Sequence, residues 1–278
     1  TNCSPADHYH HFGLWYAWTK PRSKETDRFL ESPQKQGTVR FRNFEHVSDN
    51  GFVATLDHVV YPDSPAEKVA MNERLEINIG TTSLPGYYID YHTTTRLASP
   101  SPIHHELTVM AAYASVRAKT GTINSRNAHL EGLSRDEADG SRARWCYYQG
   151  KAGNEKACIL IVASPSNLNY PELTRMGKTV NKPAGDVMWN FSPTKQKAFT
   201  LEPGKELTCL TAFMYWTRTS TLLRQKCCPI SNVIEFLLKQ TDNLQGKVNK
   251  KRKKGLFSYI IKDKALLCKY SYKSMKNT

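Results

Sequence analysis

The chain has 278 residues, enough for one large domain or two smaller ones with a hydrophobic core, and a formal net charge of +14. Residues 226–278 hold 13 Lys or Arg and three acids, a net of +10, which leaves +4 for residues 1–225. Charge therefore favours nucleic-acid binding only in the C-terminal segment, and the lack of a run of eighteen apolar residues excludes a helical membrane span.

The first distinctive segment, residues 7–18, concentrates histidines and aromatic rings near the start of the sequence. If it is a strand, His8 and His10 point to one face and His11 to the other. Imidazoles spaced in this way beside tryptophan and tyrosine suit a sugar-like ligand. We take His10 and His11 as candidate catalytic groups and His8 as a ligand contact. The alternative is a polar strand end that leads into a core strand at residues 14–18.

Metal binding is the rival role for these histidines. A His-x-His pair on a strand is what cupin-type oxygenases use, together with a carboxylate a few residues later. Here aromatic residues follow His10, and the first glutamate is Glu25. The pattern therefore favours no metal site and no cofactor, and metal binding stays open as an alternative.

The next segments have the alternating polarity of β-strands. Residues 37–47 and 52–61 flank an Asn-Gly turn, which supplies the positive φ values of a tight hairpin. Simple alternation in the first of them predicts Phe41 and Phe44 on opposite faces. Residues 74–79 carry Leu75 and Ile77 on an apolar face, as strands of stacked antiparallel sheets do.

Further segments extend this series along the chain. Residues 107–118 suit a helix or a strand because of their alanines. The other predicted strands are residues 86–97, 144–148, 157–163, 187–191, 197–201 and 207–216. The last of them is apolar on both faces, which predicts a central position in a sheet. Many short strands and almost no helical period predict an all-β fold, a large antiparallel β-sandwich.

Polar groups suited to a ligand recur in the middle of the sequence. Arg142 and Arg144 fall on one face of a predicted strand beside Trp145, and an arginine fork pairs with carboxylates or sugar hydroxyls. Asn167 stands in a predicted turn, where its amide can contact a ligand or cap the turn. We predict that these four residues bind the ligand, and that Trp145 and one of the two arginines meet His10 or His11 in one concave pocket on a sheet face. The alternative is that Arg144 pairs with a nearby acid instead.

Acid–base chemistry on a sugar needs a histidine and a carboxylate on either side of the ring. The sequence contains no obvious carboxylate partner for the histidines. The possible ones are Glu45, Glu76, Asp90 and Glu106. Asp90 shares a strand face with His92, and that pattern favours a solvated surface.

Several stretches resemble one known family. Asp-His-x-His-His-x-Gly-Leu-Trp at residues 7–15 resembles the opening signature of the bacterial PmoA-like, or "methane oxygenase", family of unknown function. Residues 140–150 and 164–167 and the strand after residues 201–207 resemble later parts of it. The resemblance implies a galactose-mutarotase-like supersandwich and a role in carbohydrate metabolism.

The sequence departs from that family at positions suited to chemistry. Residues 163–167 read Ala-Ser-Pro-Ser-Asn where the family has Asp-His-Pro-x-Asn, and Tyr147 stands where an Asp commonly follows Trp-Cys. Two functions therefore remain open: an enzyme acting on a sugar or oxidised sugar derivative, or an inactive relative that only binds. Family members carry tens of residues before the histidine motif, so the resemblance also implies N-terminal truncation, with cytoplasm and periplasm both open.

The composition changes near Lys226. We expect residues 1–225 to form the β-sandwich and residues 226–278 to be a loosely attached, lysine-rich tail with at most one short helix. Within the tail, the basic run from Lys247 to Lys254 is the stretch suited to nucleic acid or anionic lipid. The partner expected for the sandwich itself is a small sugar-like molecule.

The seven cysteines are odd in number and include no Cys-x-x-Cys pair. Such a set does not build a disulfide scaffold or a zinc ribbon. We expect buried, reduced thiols.

Overall fold

The computed structural model describes residues 14–18, 21–22, 37–81, 86–107, 112–118, 133, 135–152, 155–176 and 187–217. These residues form fifteen β-strands and one four-residue helix. The elements in chain order are β1 (Leu14–Ala17), β2 (Pro21–Arg22), β3 (Gly37–Ser48), β4 (Gly51–Val60), β5 (Lys68–Thr81), β6 (Gly86–Leu97), β7 (Ile103–His105), β8 (Ala112–Ala118), α1 (Arg135–Ala138), β9 (Arg142–Ala143), β10 (Trp145–Ala152), β11 (Glu155–Ala163), β12 (Glu172–Met176), β13 (Val187–Phe191), β14 (Phe199–Leu201) and β15 (Glu206–Thr217). The predicted all-β class is confirmed.

The strands form three sheets in which neighbours pair antiparallel. The first has the order β1-β8-β13-β12-β9, the second β10-β11-β15-β6-β5-β4-β3, and the third β14-β7-β2. The seven-stranded sheet is built mostly of hairpins between consecutive strands, as an antiparallel sandwich requires. The predicted large antiparallel β-sandwich is confirmed.

Several individual predictions are confirmed as well. The Asn-Gly turn joins β3 to β4, with Ser48 paired to Gly51. Strand β6 has the predicted bounds, and β15 lies between β11 and β6 inside the seven-stranded sheet. The ambiguous segment contains a strand, β8, which pairs with β1 and β13.

Two bulges in β3 overturn the predicted faces of its aromatic residues. Along β3 the pairing with β4 shifts between Phe41 and Asn43 and again between Phe44 and His46. Each shift inserts one unpaired residue, so side chains three positions apart come to the same face. Phe41 and Phe44 therefore share a face, and their ring centroids are 4.8 Å apart.

A bend at Arg144 overturns a second prediction, the shared strand face of Arg142 and Arg144. Strand β9 ends at Ala143 and pairs with β12 in the five-stranded sheet. Strand β10 begins at Trp145 and pairs with β11 in the seven-stranded sheet. The chain crosses between the sheets at Arg144, whose carbonyl accepts a hydrogen bond from the Ala163 amide at 2.9 Å.

The hydrophobic core lies between the five-stranded and seven-stranded sheets. Leu207, Cys209 and Phe213 on β15 belong to the same buried cluster as Trp189 on β13. The rings of Tyr148 on β10 and Trp189 contact each other across the two sheets at 6.4 Å. We call the face of the seven-stranded sheet that carries these β15 residues the inner face.

The cysteines of the described residues fit the expectation for the sequence. Cys146, Cys158 and Cys209 are buried free thiols. In the part of the chain that the structure describes, no helix is long and apolar enough to cross a bilayer. The tail, residues 226–278, lies outside the described residues, so its loose attachment stays a prediction.

Candidate functional site

A histidine and a glutamate bond to each other inside the sandwich. His58 Nε2 and Glu73 Oε2 are 2.8 Å apart, and the two side chains are only 7% and 3% exposed. Because a carboxylate only accepts, the imidazole N–H donates to it. The other carboxylate oxygen of Glu73 accepts a hydrogen bond from the Thr93 hydroxyl. With both oxygens bonded, the carboxylate is held in one orientation.

The register of three adjacent strands brings these groups together. Glu73 on β5 pairs with Leu56 on β4, and His58 pairs with Met71, so His58 and Glu73 are diagonal neighbours. Thr93 on β6 is the diagonal neighbour of Glu73 on the other side, because Thr95 pairs with Glu73. Diagonal side chains on one face lie within reach of each other when they are long.

Two tyrosines lie close enough to feel the Glu73 charge. Burial raises the pKa of Tyr16 well above its ordinary value, and Cys209 and Glu73 raise it further. Burial also raises the pKa of Tyr91, again with Glu73 and Cys209 adding to the effect. Both phenols therefore stay protonated at neutral pH and can act as hydrogen-bond donors.

His105 on β7 is a buried imidazole beside this group. Its ring lies 4.4 Å from the Trp18 ring and 5.9 Å from the Phe199 ring, centroid to centroid. Neither ring nitrogen has a hydrogen-bond partner among the described residues. Burial lowers the pKa of His105 to about 3, and His104 and His58 lower it further. At neutral pH the ring is neutral, with one donor and one acceptor nitrogen to offer.

We call Tyr16, His58, Glu73, Thr93 and His105 the interior polar cluster. Buried polar groups in proteins are nearly always hydrogen-bonded. An imidazole that lacks partners among the described residues, within electrostatic reach of His58, is therefore the kind of exception that a ligand can satisfy.

A second carboxyl, Glu172 on β12, is buried in the same interior. Burial raises the pKa of the Cys209 thiol well above its ordinary value, and Glu172 and then Glu73 raise it further. Cys209 thus feels one carboxyl from each large sheet. A thiol with a raised pKa stays protonated and is a poor nucleophile, so Cys209 is part of the wall and not a reactive group.

The predicted catalytic histidines, His10 and His11, and the predicted ligand contact His8 lie outside the described residues. Their meeting with the arginines in one pocket therefore stays a prediction. Among the residues that the structure does describe, no group of three or more His, Cys, Asp or Glu side chains has the geometry to hold a metal ion.

Two of the predicted ligand contacts brace the turn at residues 164–171. The Arg142 guanidinium donates to the carbonyls of Asn169 and Pro171, at 3.2 and 2.7 Å. The Asn167 amide donates to the Leu210 carbonyl at 2.9 Å, and its oxygen accepts from the Leu210 amide at 2.8 Å. This turn leads directly into Glu172, so both side chains hold the start of β12 in place.

The other two predicted contacts lie away from the interior polar cluster. Arg144 is half-buried at the crossing between the sheets. Trp145 pairs with Val162, on the face of the seven-stranded sheet opposite to the inner face. Arg144 and Trp145 are therefore separate from the interior polar cluster, and a ligand role for them stays a prediction.

The carboxylates that the sequence suggested as partners for a catalytic histidine do not belong to the interior polar cluster. Glu45 and Glu76 both bond to Arg74, at 2.8 and 3.2 Å. Asp90 is buried, so the expectation of a solvated face is wrong for it. It lies opposite Ala212 and faces away from the interior polar cluster.

Sequence reasoning missed Glu73 and His58, although a signal for Glu73 existed. Counted back along β5, Glu73 is in phase with Leu75 and Ile77, so a carboxylate stands on an apolar face. The predicted strand began one residue too late, at Arg74, and excluded it. A charged residue in phase with a buried face is the pattern to look for, because such groups are rarely buried without a partner.

Comparison with known proteins places the sequence without assigning an activity. A family of unknown function, DUF6807, matches residues 1–221. The comparisons offer no support for the PmoA-like resemblance inferred from the histidine motif, which stays a prediction. No curated protein gives a significant match.

Similar solved structures belong to much larger proteins. The α-galactosidase AgaA of Geobacillus stearothermophilus is 9% identical with a TM-score of 0.36, and the match covers 73% of this chain and 30% of that one. The heparan sulfate lyase HepC of Pedobacter heparinus is 8% identical with a TM-score of 0.32, and the match covers 77% of this chain and 26% of that one. An α-galactosidase of Lactobacillus brevis is 8% identical with a TM-score of 0.32, and the match covers 72% of this chain and 29% of that one. The chain spans less than a third of each of these proteins, and similarity at this level says nothing about a shared activity.

Proposed function

The chain belongs to the DUF6807 family, whose function is unknown, and we propose that it binds a sugar-like ligand at the interior polar cluster and exchanges protons with it through His58 and Glu73. The observation that carries the proposal is the buried His58–Glu73 pair beside His105, whose ring nitrogens have no partner among the described residues. A polyhydroxylated ligand offers both donors and acceptors, which are the partners that the two ring nitrogens of His105 lack among the described residues.

His105, Tyr16 and the neighbouring Trp18 bind the ligand, whereas His58 and Glu73 exchange protons with it. His105 stays neutral far below pH 7, so it orients a hydroxyl by hydrogen bonding and does not take its proton. Tyr16 offers a protonated phenol, and the Trp18 ring beside His105 supplies an apolar surface for the face of a sugar ring. These contacts would position the ligand against Glu73.

Proton exchange falls to His58 and Glu73. A carboxylate bonded to one imidazole nitrogen fixes the ring and leaves the other nitrogen to exchange a proton. The step needs His58 in its imidazolium form, with Nε2–H bonded to Glu73 and a second proton on Nδ1. If Glu73 takes the proton of an anomeric hydroxyl while Nδ1 of His58 protonates the ring oxygen, the bond from that oxygen to the anomeric carbon breaks and a carbonyl forms, leaving His58 neutral and Glu73 protonated. Atoms and electrons balance without a cofactor, and the reverse step closes the ring on either face.

The pair is nearly closed to solvent, so a ligand must displace the side chains packed over it before it contacts the carboxylate. This ordering keeps water away from the reacting groups and strengthens the hydrogen bonds made there.

Two rival functions keep their own predictions. An inactive relative would bind the same sugar without interconverting its anomers. Metal binding concerns His8, His10 and His11, which lie outside the described residues. A thermal-shift series with divalent metals tests that alternative separately.

Ligand-induced stabilisation tests the proposal. Monosaccharides and 3-keto sugars are screened for a rise in melting temperature, since a ligand at 100 times its Kd stabilises the folded state by about 2.7 kcal/mol. The Glu73→Gln variant should lose this rise in melting temperature, because a neutral amide has one acceptor oxygen where the charged carboxylate has two. Glu206→Gln, which removes an exposed carboxylate paired with Arg96, is the matched control and should keep it.

The outcomes separate the possibilities. A rise that survives in Glu73→Gln overturns the proposed site. A rise in melting temperature that is lost in Glu73→Gln supports the site. If wild-type protein then does not speed up anomer exchange of the same sugar, measured by NMR, the result favours the binding-only relative.

A further inference from the structure

Three apolar side chains are left exposed on the edge strand β3. Phe41 and Phe44 are 57% and 54% exposed, and Val47 is 62% exposed. The Phe44 ring also contacts the Phe52 ring of β4, at 5.6 Å between centroids. We call Phe41, Phe44, Val47 and Phe52 the apolar patch.

The two bulges of β3 bring this patch to the inner face. Phe41, Phe44 and Val47 are spaced three residues apart, and a regular strand would place them on alternating faces. The shifts at residues 42 and 45 instead pair them with Leu56, Ala54 and Phe52, which all lie on one face of β4. Bulges re-aim side chains and are over-represented both at sheet edges, where β3 lies, and next to active sites.

The register also fixes how far the patch lies from Glu73. Phe41 pairs with Leu56, and Leu56 pairs with Glu73, so the three residues form one row across β3, β4 and β5. Two strand spacings separate Phe41 from Glu73, about 10 Å. Phe44 begins the next row, which runs through Ala54 towards β6.

We propose that the apolar patch binds a second ring of the ligand, the sugar unit next to the one held at the interior polar cluster. The inference rests on the proposed function and names its substrate class as an oligosaccharide or glycoside chain. One sugar unit would lie against His58 and Glu73, and the neighbouring unit would stack on Phe41 and Phe44 at the sheet edge.

The size and charge of the patch favour this occupant over a protein. Three side chains that are little more than half exposed offer roughly 300 Å², given that a whole aromatic side chain buries 150–250 Å². Each partner in a stable protein complex buries about 800 Å². The charged groups of β3 are already paired within the chain, Arg40 with Glu67 and Arg42 with Asp57. An aromatic surface of this size suits the apolar face of one sugar ring.

The experiment compares the affinities of single and linked sugars by titration calorimetry. Glucose and galactose are measured beside maltose, cellobiose and lactose. Wild-type protein should bind one disaccharide about tenfold more tightly than its monosaccharide, on the scale of one added aromatic contact. Phe44→Ala should lose that gain and keep the monosaccharide affinity. Leu107→Ala, which shortens an equally exposed apolar side chain on another segment, is the control and should keep the gain.

Each contrary result has a distinct meaning. Suppose that monosaccharide binding to wild-type protein depends on Glu73. If the protein then binds single and linked sugars with equal affinity, the patch inference is overturned and the proposed function stands. A gain that persists in Phe44→Ala also overturns the patch inference. If light scattering shows that wild-type protein is a dimer and that Phe44→Ala is a monomer, a second copy of the chain covers the patch, and the inference is overturned. If none of these sugars binds wild-type protein, the proposed function and the inference both fall.

Discussion

At the scale of single residues, His105 couples the stability of the fold to pH. The pKa of His105 is about 3 in the folded chain and 6.5 ordinarily. Between these two values the unfolded chain binds a proton at this imidazole and the folded chain does not. Stability is therefore unaffected at pH 7 and falls as the pH drops from 6.5 towards 3. Between pH 7 and pH 5 the loss from this one group is about 2 kcal/mol.

Urea unfolding at pH 7 and pH 5 measures this loss. His105→Phe, which keeps a ring between Trp18 and Phe199, should lose about 2 kcal/mol less than wild-type protein over the same interval. His46→Gln removes an exposed imidazole on β3 and is the control; it should behave as wild type. Identical pH dependence in wild type and His105→Phe would contradict a buried, neutral His105.

The residues of the candidate site show what a single sequence conveys. His10 and His11 attract notice because they cluster locally, whereas His58 and Glu73 are fifteen positions apart and meet through strand register. Glu73 could be found by its phase with Leu75 and Ile77. His58 could not, because nothing in the sequence around it indicates which residue of the next strand it faces.

At the scale of elements, the turn at residues 164–171 depends on the Asn167 amide. Asn167→Ala would remove the acceptor of the Leu210 amide and one of the two donors to the Leu210 carbonyl, which keeps its bond from the Ser164 amide, and we expect a loss of about 2 kcal/mol in the free energy of unfolding. Among the described residues the Asn78 amide donates to the Glu76 side chain alone, so Asn78→Ala should cost less than about 1 kcal/mol. Denaturant unfolding of the two variants checks the difference. Equal costs would mean that Asn167 does not hold the turn.

Strands with strong local patterns were predictable and the others were not. The β3–β4 hairpin and β6 follow from an Asn-Gly turn and alternating polarity, which are properties of neighbouring residues. Strand β7 is three residues long and exists because β14 and β2 pair with it. The bulges in β3 also escaped prediction, since the unpaired residues Arg42 and Glu45 break no local pattern.

At the scale of the whole molecule, the sandwich is predicted to fold without the lysine-rich tail. The composition changes at Lys226, and residues 1–225 contain every described strand. A chain that stops near Arg224 should melt within a few degrees of the full-length protein, which corresponds to a change of about 1 kcal/mol or less. Loss of soluble protein on truncation would show that the tail supplies core residues.

The crossing of the chain between the sheets was the feature of the whole molecule least open to prediction. Arg142 and Trp145 are three residues apart, yet their strands belong to different sheets. A bend of this kind depends on which distant strands, β12 and β11, are available for pairing. Alternating polarity alone reads the segment as one strand.

The central claim is that a sugar binds at the interior polar cluster, and a crystal structure of the protein soaked with a stabilising monosaccharide tests it most directly. We predict a sugar hydroxyl at about 2.7 Å from a carboxylate oxygen of Glu73, with a second hydroxyl bonded to a ring nitrogen of His105. A sugar bound only at Arg144 and Trp145, with His58 still bonded to an undisturbed Glu73 and His105 still without a partner, would contradict the claim.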